Sequence, residues 1–290
     1  MRWAEISVET NDQGRDAVSN LMIENGCGGV VISNEAPIVV KGYLPVDDRL
    51  EDRLLRIKAG TADLPKFGLE IGSGEMTITY AEDQDWAEAW KQFFRTTRVG
   101  SRTVIKPTWD EYTDPQLHDI LIELDPGMAF GTGSHQTTRL CLISLEKYMR
   151  SRKVVIDFGT GSGILAIAAA KLKARLVIAF DSDDLAVKAA RENVLRNEVE
   201  HIVEVHRAES PSFIGDGAAD IVTANIVAET IMASAEEIAR ILKTGGMLIA
   251  SGITTGKALD VEQVLRNLGF DIAETLTDGE WVAIVAIKAG

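Results

Sequence analysis

The spacing of apolar and polar positions changes character along the chain, and the changes mark its parts. Trp3-Ala4-Glu5-Ile6-Ser7-Val8 alternates with period two, which predicts a half-buried strand. Arg15 to Glu24 switches to helical spacing, with Ala17, Val18, Leu21 and Met22 on one face and Gly26 at the expected stop. Gly29 to Ser33 and Ile38 to Tyr43 read as strands around a turn at Asn34 to Pro37. Asp47 to Ile57 reads as a second amphipathic helix and Met76 to Tyr80 as a last strand. Strand, helix, strand, strand, helix, strand is the split ferredoxin-like order. Residues 1–82 are therefore expected to form a small α+β domain of the kind that often serves for docking.

Residues 83–98 are expected to form a connecting helix, because Trp86, Trp90 and Phe93 fall at i, i+4 and i+7 on one face. A second domain, 99–290, follows. Its first part carries strand-like runs at Arg102 to Lys106 and His118 to Leu124, then a glycine-rich loop and a helix from Gln136 to Arg150. Beyond Lys153 strands and helices alternate. Strands are expected at 153–157, 176–180, 202–206, 219–224, 246–251 and 282–287. Helices are expected at 162–172, 184–197, 228–242 and 257–268. Such alternation predicts an α/β domain with a parallel sheet covered on both faces.

Charge narrows the partners. The chain has 290 residues, 44 of them acidic and 30 basic, for a net charge of −14. That field repels phosphate backbones and favours basic partners, so direct nucleic-acid binding is not expected. The two cysteines, Cys27 and Cys141, match no metal-ligand spacing and read as buried reduced thiols, so no metal is expected. The first residues, MRWAEISVET, lack a signal-peptide apolar run, and no stretch of about 20 apolar residues occurs. A cytoplasmic, membrane-free monomer is expected.

The candidate chemistry lies where the alternation begins. Val154-Val155-Ile156 is a short apolar strand running into Asp157-Phe158-Gly159-Thr160-Gly161-Ser162-Gly163, and a helix opens at Ile164. Glycines between a strand and a helix let a ligand approach the backbone, and the helix N-terminus favours an anion. That anion is a pyrophosphate or a methionine carboxylate. A dinucleotide fingerprint is GxGxxG. Here Gly159, Gly161 and Gly163 give GxGxG, with Ile164 at the third dinucleotide position. Asp157 precedes the loop and is expected to accept hydrogen bonds from a ligand amino group. A carboxylate there suits a zwitterionic amino acid better than a diphosphate, which it would repel. Asp181 ends the next strand, placed to take both hydroxyls of a ribose. Asn225 ends the strand from Ala219 and lies on the same rim, where ligands bind in open α/β sheets. It is equally placed to cap the helix starting at Ala228.

These residues, with Ala224-Asn225-Ile226 and the loop Leu124 to His135 (LDPGMAFGTGSH) followed by Gln136-Thr137-Thr138, resemble the bacterial ribosomal protein L11 methyltransferases. The similarity covers nearly the whole length and includes the segment from Asp85 to Phe93. The resemblance implies a class I methyltransferase domain with a Rossmann-like sheet, preceded by a small substrate-recognition domain and a connecting helix. It implies S-adenosylmethionine as cofactor, a basic ribosomal protein as partner, and cofactor contacts at Thr138, Gly159, Asp181 and Asn225. Asp157, Gly161 and Gly163 complete the expected cofactor site. Thr160 departs from the cysteine that many members carry.

Methyl transfer to an amine needs positioning and a free lone pair. A lysine amine of reference pKa about 10.4 is neutral in only roughly one molecule in 10³ at pH 7. Asn225 is the expected catalytic residue: its side-chain oxygen accepts amine hydrogens without forming an ion pair that would stabilise the ammonium. The loop from Gly127 to Gly133 is a candidate lid, with Phe130 covering cofactor or lining the amine channel, or packed in a core. His135 reads as a cap or positioning group, or else a base. Thr138 is placed to reach the cofactor, or to bond the helix backbone. Two other readings stay open from the sequence: methylation of a small-molecule amine or nucleic acid, and a nucleotide-binding module or NAD oxidoreductase.

Overall fold

The computed structural model describes residues 3–33, 37–81, 95–125 and 135–290. The chain divides into two compact units, Met1–Phe94 and Arg95–Gly290. The expected face of Trp86, Trp90 and Phe93, and the loop carrying Phe130, lie outside the described residues.

The first unit contains β1 (Trp3–Thr10), α1 (Arg15–Glu24), β2 (Val30–Ile32), β3 (Ile38–Pro45), α2 (Leu50–Asp63) and β4 (Met76–Ala81). The strands pair in the order β2-β3-β1-β4, all antiparallel. This is the ferredoxin-like arrangement. Period-two alternation puts Ala4, Ile6 and Val8 into a core with Val18, Met22, Leu54 and Ile57 from the helices. α1 stops as expected: Gly26 has φ +98°, and the Cys27 N–H donates to the Met22 carbonyl at 3.0 Å. α2 starts later than expected, because the Asp47 carboxylate accepts the Arg49 N–H at 2.9 Å and forms a turn there instead.

The second unit opens with β5 (Thr97–Val99), β6 (Thr103–Lys106) and β7 (Ile120–Glu123), paired in that order. The helix expected over 83–98 therefore does not reach its predicted end, since Thr97 and Arg98 belong to a strand. Thr97 and Val99 are β-branched. Arg98 is tied sideways by two hydrogen bonds to Asp119, at 2.6 and 2.9 Å, which holds the segment extended.

Then come α3 (Gln136–Tyr148), β8 (Val154–Phe158), α4 (Ile164–Lys171), β9 (Leu176–Asp181), α5 (Asp184–Arg196), β10 (Val203–Arg207), β11 (Ala219–Asn225), α6 (Ala228–Ala233), α7 (Ala235–Ile241), β12 (Leu242–Thr254), α8 (Ala258–Asn267), β13 (Phe270–Asp278) and β14 (Trp281–Lys288). Seven strands form one sheet in the order β10-β9-β8-β11-β12-β14-β13. The first five run parallel, and β14 is antiparallel to both of its neighbours. This is the expected class I, Rossmann-like α/β sheet. β8 is buried along its whole length, as a central parallel strand requires. α4 is buried on every side through Ala170, which explains why its sequence lacks a polar face. The single helix expected over 228–242 is two, broken at Ser234. β13 was not expected, because its alternation leaves only alternate residues half-buried at the sheet edge.

The direction of chain progression fixes where a ligand can sit. From β8 the chain winds outward to β9 and β10, then returns to β11 on the other side of β8. The crevice beyond the carboxyl ends of β8 and β11 is thus the topological switch point, where open α/β sheets bind ligands.

Candidate functional site

Four predicted residues meet at that rim: Gly159 after β8, Asp181 at the end of β9, Asn225 at the end of β11, and Thr138 in the first turn of α3. Gly159, Gly161 and Gly163 all have positive φ, at +70°, +53° and +85°. Glycine tolerates this conformation without steric cost. The loop is braced beneath. The Gly159 and Thr160 amides both donate to the Phe180 carbonyl at 3.0 Å, and Asn193 of α5 donates to the Ser162 carbonyl at 2.9 Å. Phe158 stacks on Phe180, with ring centroids 4.8 Å apart, so the ends of β8 and β9 are locked to each other.

Asp181 links the two strands on their ligand side. Its carboxylate accepts the Gly161 N–H at 2.9 Å and the Asp183 N–H at 3.0 Å. It is only partly buried, so lone pairs remain for a ligand's hydroxyls.

Asp157 lies beneath the glycine loop. It is 1% exposed, and one carboxylate oxygen accepts the Thr160 hydroxyl while the other accepts the Thr223 hydroxyl, each at 2.6 Å. Each oxygen has a partner inside the protein, and Asp157 shapes the loop from below. Sequence spacing places the residue at the strand end but does not reveal that it lies under the loop. Thr223, missed by the sequence reading, sits one residue before Ala224 on an apolar strand. A hydroxyl in that run is the signal that a polar partner lies opposite. Thr160 also acquires a role, as the donor that ties the loop to Asp157.

Burial pushes the Asp157 carboxyl up to about 6, while the two hydroxyl bonds act in the other direction. Between pH 6 and the ordinary carboxylate range near about 4, the folded chain holds a proton that the unfolded chain lacks. The group therefore adds stability as pH falls through 6 and costs stability above it. Asp157→Asn removes that cost. Its unfolding free energy is expected to gain on wild type as pH rises from about 5 to about 8, by about 1.4 kcal/mol. Urea unfolding at both pH values checks this, and a gap that does not change with pH would refute it.

Asn225 is held by its nitrogen. Nδ2 donates to Thr138 Oγ1 at 3.2 Å, while Oδ1 is buried and has no partner. It does not cap the following helix, whose cap is Val227 with no side-chain bond. A buried acceptor without a partner costs roughly 1–3 kcal/mol, so an amide arranged this way is ready for a donor from outside. Thr138 is completely buried and supports Asn225 through that bond. His135 is the N-cap of α3: its Nδ1 accepts the Thr137 N–H at 3.3 Å. Its ring lies edge-on to Trp281, and burial pulls its pKa down, so the neutral capping form is favoured.

This arrangement fits a cofactor with a ribose and an amino-acid end. The three left-handed glycines leave the backbone bare beside the N-terminus of α4, Asp181 presents a carboxylate over it, and Asn225 offers an unpartnered oxygen across the crevice. Among the described residues no group of His, Cys, Asp and Glu has a metal-holding arrangement.

Comparison with known proteins agrees with that fit. The family model described as Ribosomal protein L11 methyltransferase (PrmA) matches residues 2–289. Proteins named ribosomal protein L11 methyltransferase from Alkaliphilus oremlandii and Bacillus cytotoxicus are 41% and 39% identical, each alignment covering 100% of both chains. The crystal structure of a ribosomal protein L11 methylase from Lactobacillus delbrueckii subsp. bulgaricus is 33% identical with a TM-score of 0.64. That match covers 68% of this chain and 100% of the other.

Proposed function

The chain belongs to the ribosomal protein L11 methyltransferase family, and we propose that it transfers methyl groups from S-adenosylmethionine to amino groups of ribosomal protein L11. The observation that carries this reading is the Asn225 amide, its nitrogen tied to Thr138 and its oxygen unpartnered beside the glycine loop. When bound, S-adenosylmethionine supplies a methyl group activated by a sulfonium. Gly159, Gly161 and Gly163 would cradle its amino-acid end and Asp181 its ribose hydroxyls.

The remaining work falls to the chain's own groups. An attacking amine must arrive without its proton, and partial desolvation at the rim lowers its pKa in that direction. Asn225 Oδ1 then accepts an amine hydrogen and turns the lone pair toward the crevice. A neutral amide suits this role because it gives the ammonium form no ion-pair stabilisation. Thr138 keeps the amide from rotating. The N-terminal unit serves to dock the substrate protein, and the net charge of −14 suits a basic one. The enzyme acts as a cytoplasmic monomer. Among the described residues no helix is long and apolar enough to cross a membrane, and both cysteines are free and buried.

Two titrations and one assay test the proposal. Calorimetry is expected to show S-adenosylmethionine binding and no NAD binding. Label from methyl-labelled cofactor is expected on isolated L11, and not on ribosomal RNA or free small amines. NAD binding in place of S-adenosylmethionine, or label going to RNA, would overturn it.

A further inference from the structure

We infer that Gly252 and Ile226 form a positioning clamp that sets Asn225 against the glycine loop; its catalytic consequence rests on the methyl-transfer reading above. β12 is not a regular strand where it passes the site. Its register against β14 shifts between Ala250 and Ile253, and Gly252 in the middle of that bulge has φ +82°. Glycine inside a strand marks a bulge or a close approach of another backbone, and here it marks both. A Cβ at Gly252 would overlap the Ile226 carbonyl oxygen and lie 2.7 Å from its carbonyl carbon and 3.1 Å from its nitrogen. These are backbone atoms, so no side-chain rotation relieves the overlap.

The Ile226 backbone is also tied to the same stretch of β12. Its N–H donates to the Ser251 carbonyl at 3.1 Å, and Asn225 pairs with Ser251 in the parallel register. Ser251 is fully buried and donates its hydroxyl to the Val282 carbonyl at 2.9 Å, which anchors the bulge to β14. At the front, Ile226 Cγ2 occupies the space that a Cβ on Gly159 would need. Ile226 thus lies between a bare backbone in the glycine loop and a bare backbone in the bulge. Asn225 is the residue before it. The distance from the glycine loop to the Asn225 amide is therefore set by two close contacts that only glycine permits.

The test compares Gly252→Ala with Gly269→Ala. Gly269 has nearly the same φ, +80°, but open space where its Cβ would go. Both variants carry the same left-handed backbone strain, and only the first displaces Ile226. The Asn225 side-chain amide resonances of the cofactor-free protein report its position, and kcat and KM for L11 report the chemistry. Gly252→Ala is expected to move those resonances and lower kcat about 10²-fold, the usual scale for a displacement near 1 Å, with KM little changed. Gly269→Ala is expected to match wild type in both. Ile226→Ala, which opens the front of the clamp, is expected to move the same resonances and lower kcat roughly tenfold; it decides the matter if Gly252→Ala does not fold. Resonances and kcat in Gly252→Ala or Ile226→Ala equal to those of Gly269→Ala would overturn the inference. If wild type transfers no methyl to L11, the functional reading falls, and the resonance comparison still decides the clamp.

Discussion

Asn225→Ala is expected to lower kcat for methyl transfer by about 10²- to 10³-fold, the scale measured when one preorganised polar contact at a reacting centre is removed. Cofactor affinity is expected to stay within about tenfold of wild type, because the glycine loop and Asp181 are untouched. The effect arises from the two ends of one amide. Nδ2 is bonded to Thr138, and Oδ1 is buried without a partner, so the folded chain already bears the cost of an unmet acceptor. An amine that meets it gains a full hydrogen bond and an orientation together. Asn225→Asp separates polarity from charge. A carboxylate there would pair with the ammonium and hold its proton, so the pH profile of kcat is expected to shift to higher pH. Single-turnover rates with saturating cofactor, measured across pH, check both variants. A near-normal rate in Asn225→Ala would remove Asn225 from the mechanism.

Asp181→Ala is expected to weaken S-adenosylmethionine binding by about 10²- to 10³-fold, with kcat at saturating cofactor much less affected. Each hydrogen bond to a charged group contributes roughly 1.5–3 kcal/mol, and in the proposed binding mode this carboxylate would take both ribose hydroxyls. It also accepts the Gly161 N–H, so its removal loosens the loop that would hold the amino-acid end. Asp181→Asn keeps one acceptor and is expected to fall between the two. Isothermal titration of all three proteins gives the comparison, and an Asp181→Ala affinity equal to wild type would contradict the placement of the ribose.

The parts legible in the sequence are those with a strong local signature. Gly159-Thr160-Gly161-Ser162-Gly163 announced a loop between a strand and a helix, and the structure places it at the switch point of the sheet. Asp181 and Asn225 were legible because strand ends on one rim converge whatever the details of packing. What the sequence could not show is which partner each polar atom finds. Asp157 is legible as a strand-end carboxylate, but its bonds to Thr160 and Thr223 are not, because no spacing rule reports contacts between adjacent strands. Nor does spacing show that Thr138 supports Asn225, 87 residues away in the chain. The segment 83–98 carried a helical stripe only through Phe93. Extending the helix to Arg98 overlooked the β-branched Thr97 and Val99, which pair as a strand. Gly252 was readable as a strand glycine, but its importance comes from Ile226, brought against it only by the sheet.

The most direct test of the whole account is mass mapping of purified L11 after incubation with S-adenosylmethionine and this protein. Methyl groups on amino groups of L11 with wild type, and nearly none over the same period with Asn225→Ala, is the predicted result. Unmodified L11 with wild type, or equal methylation by the two proteins, would contradict it.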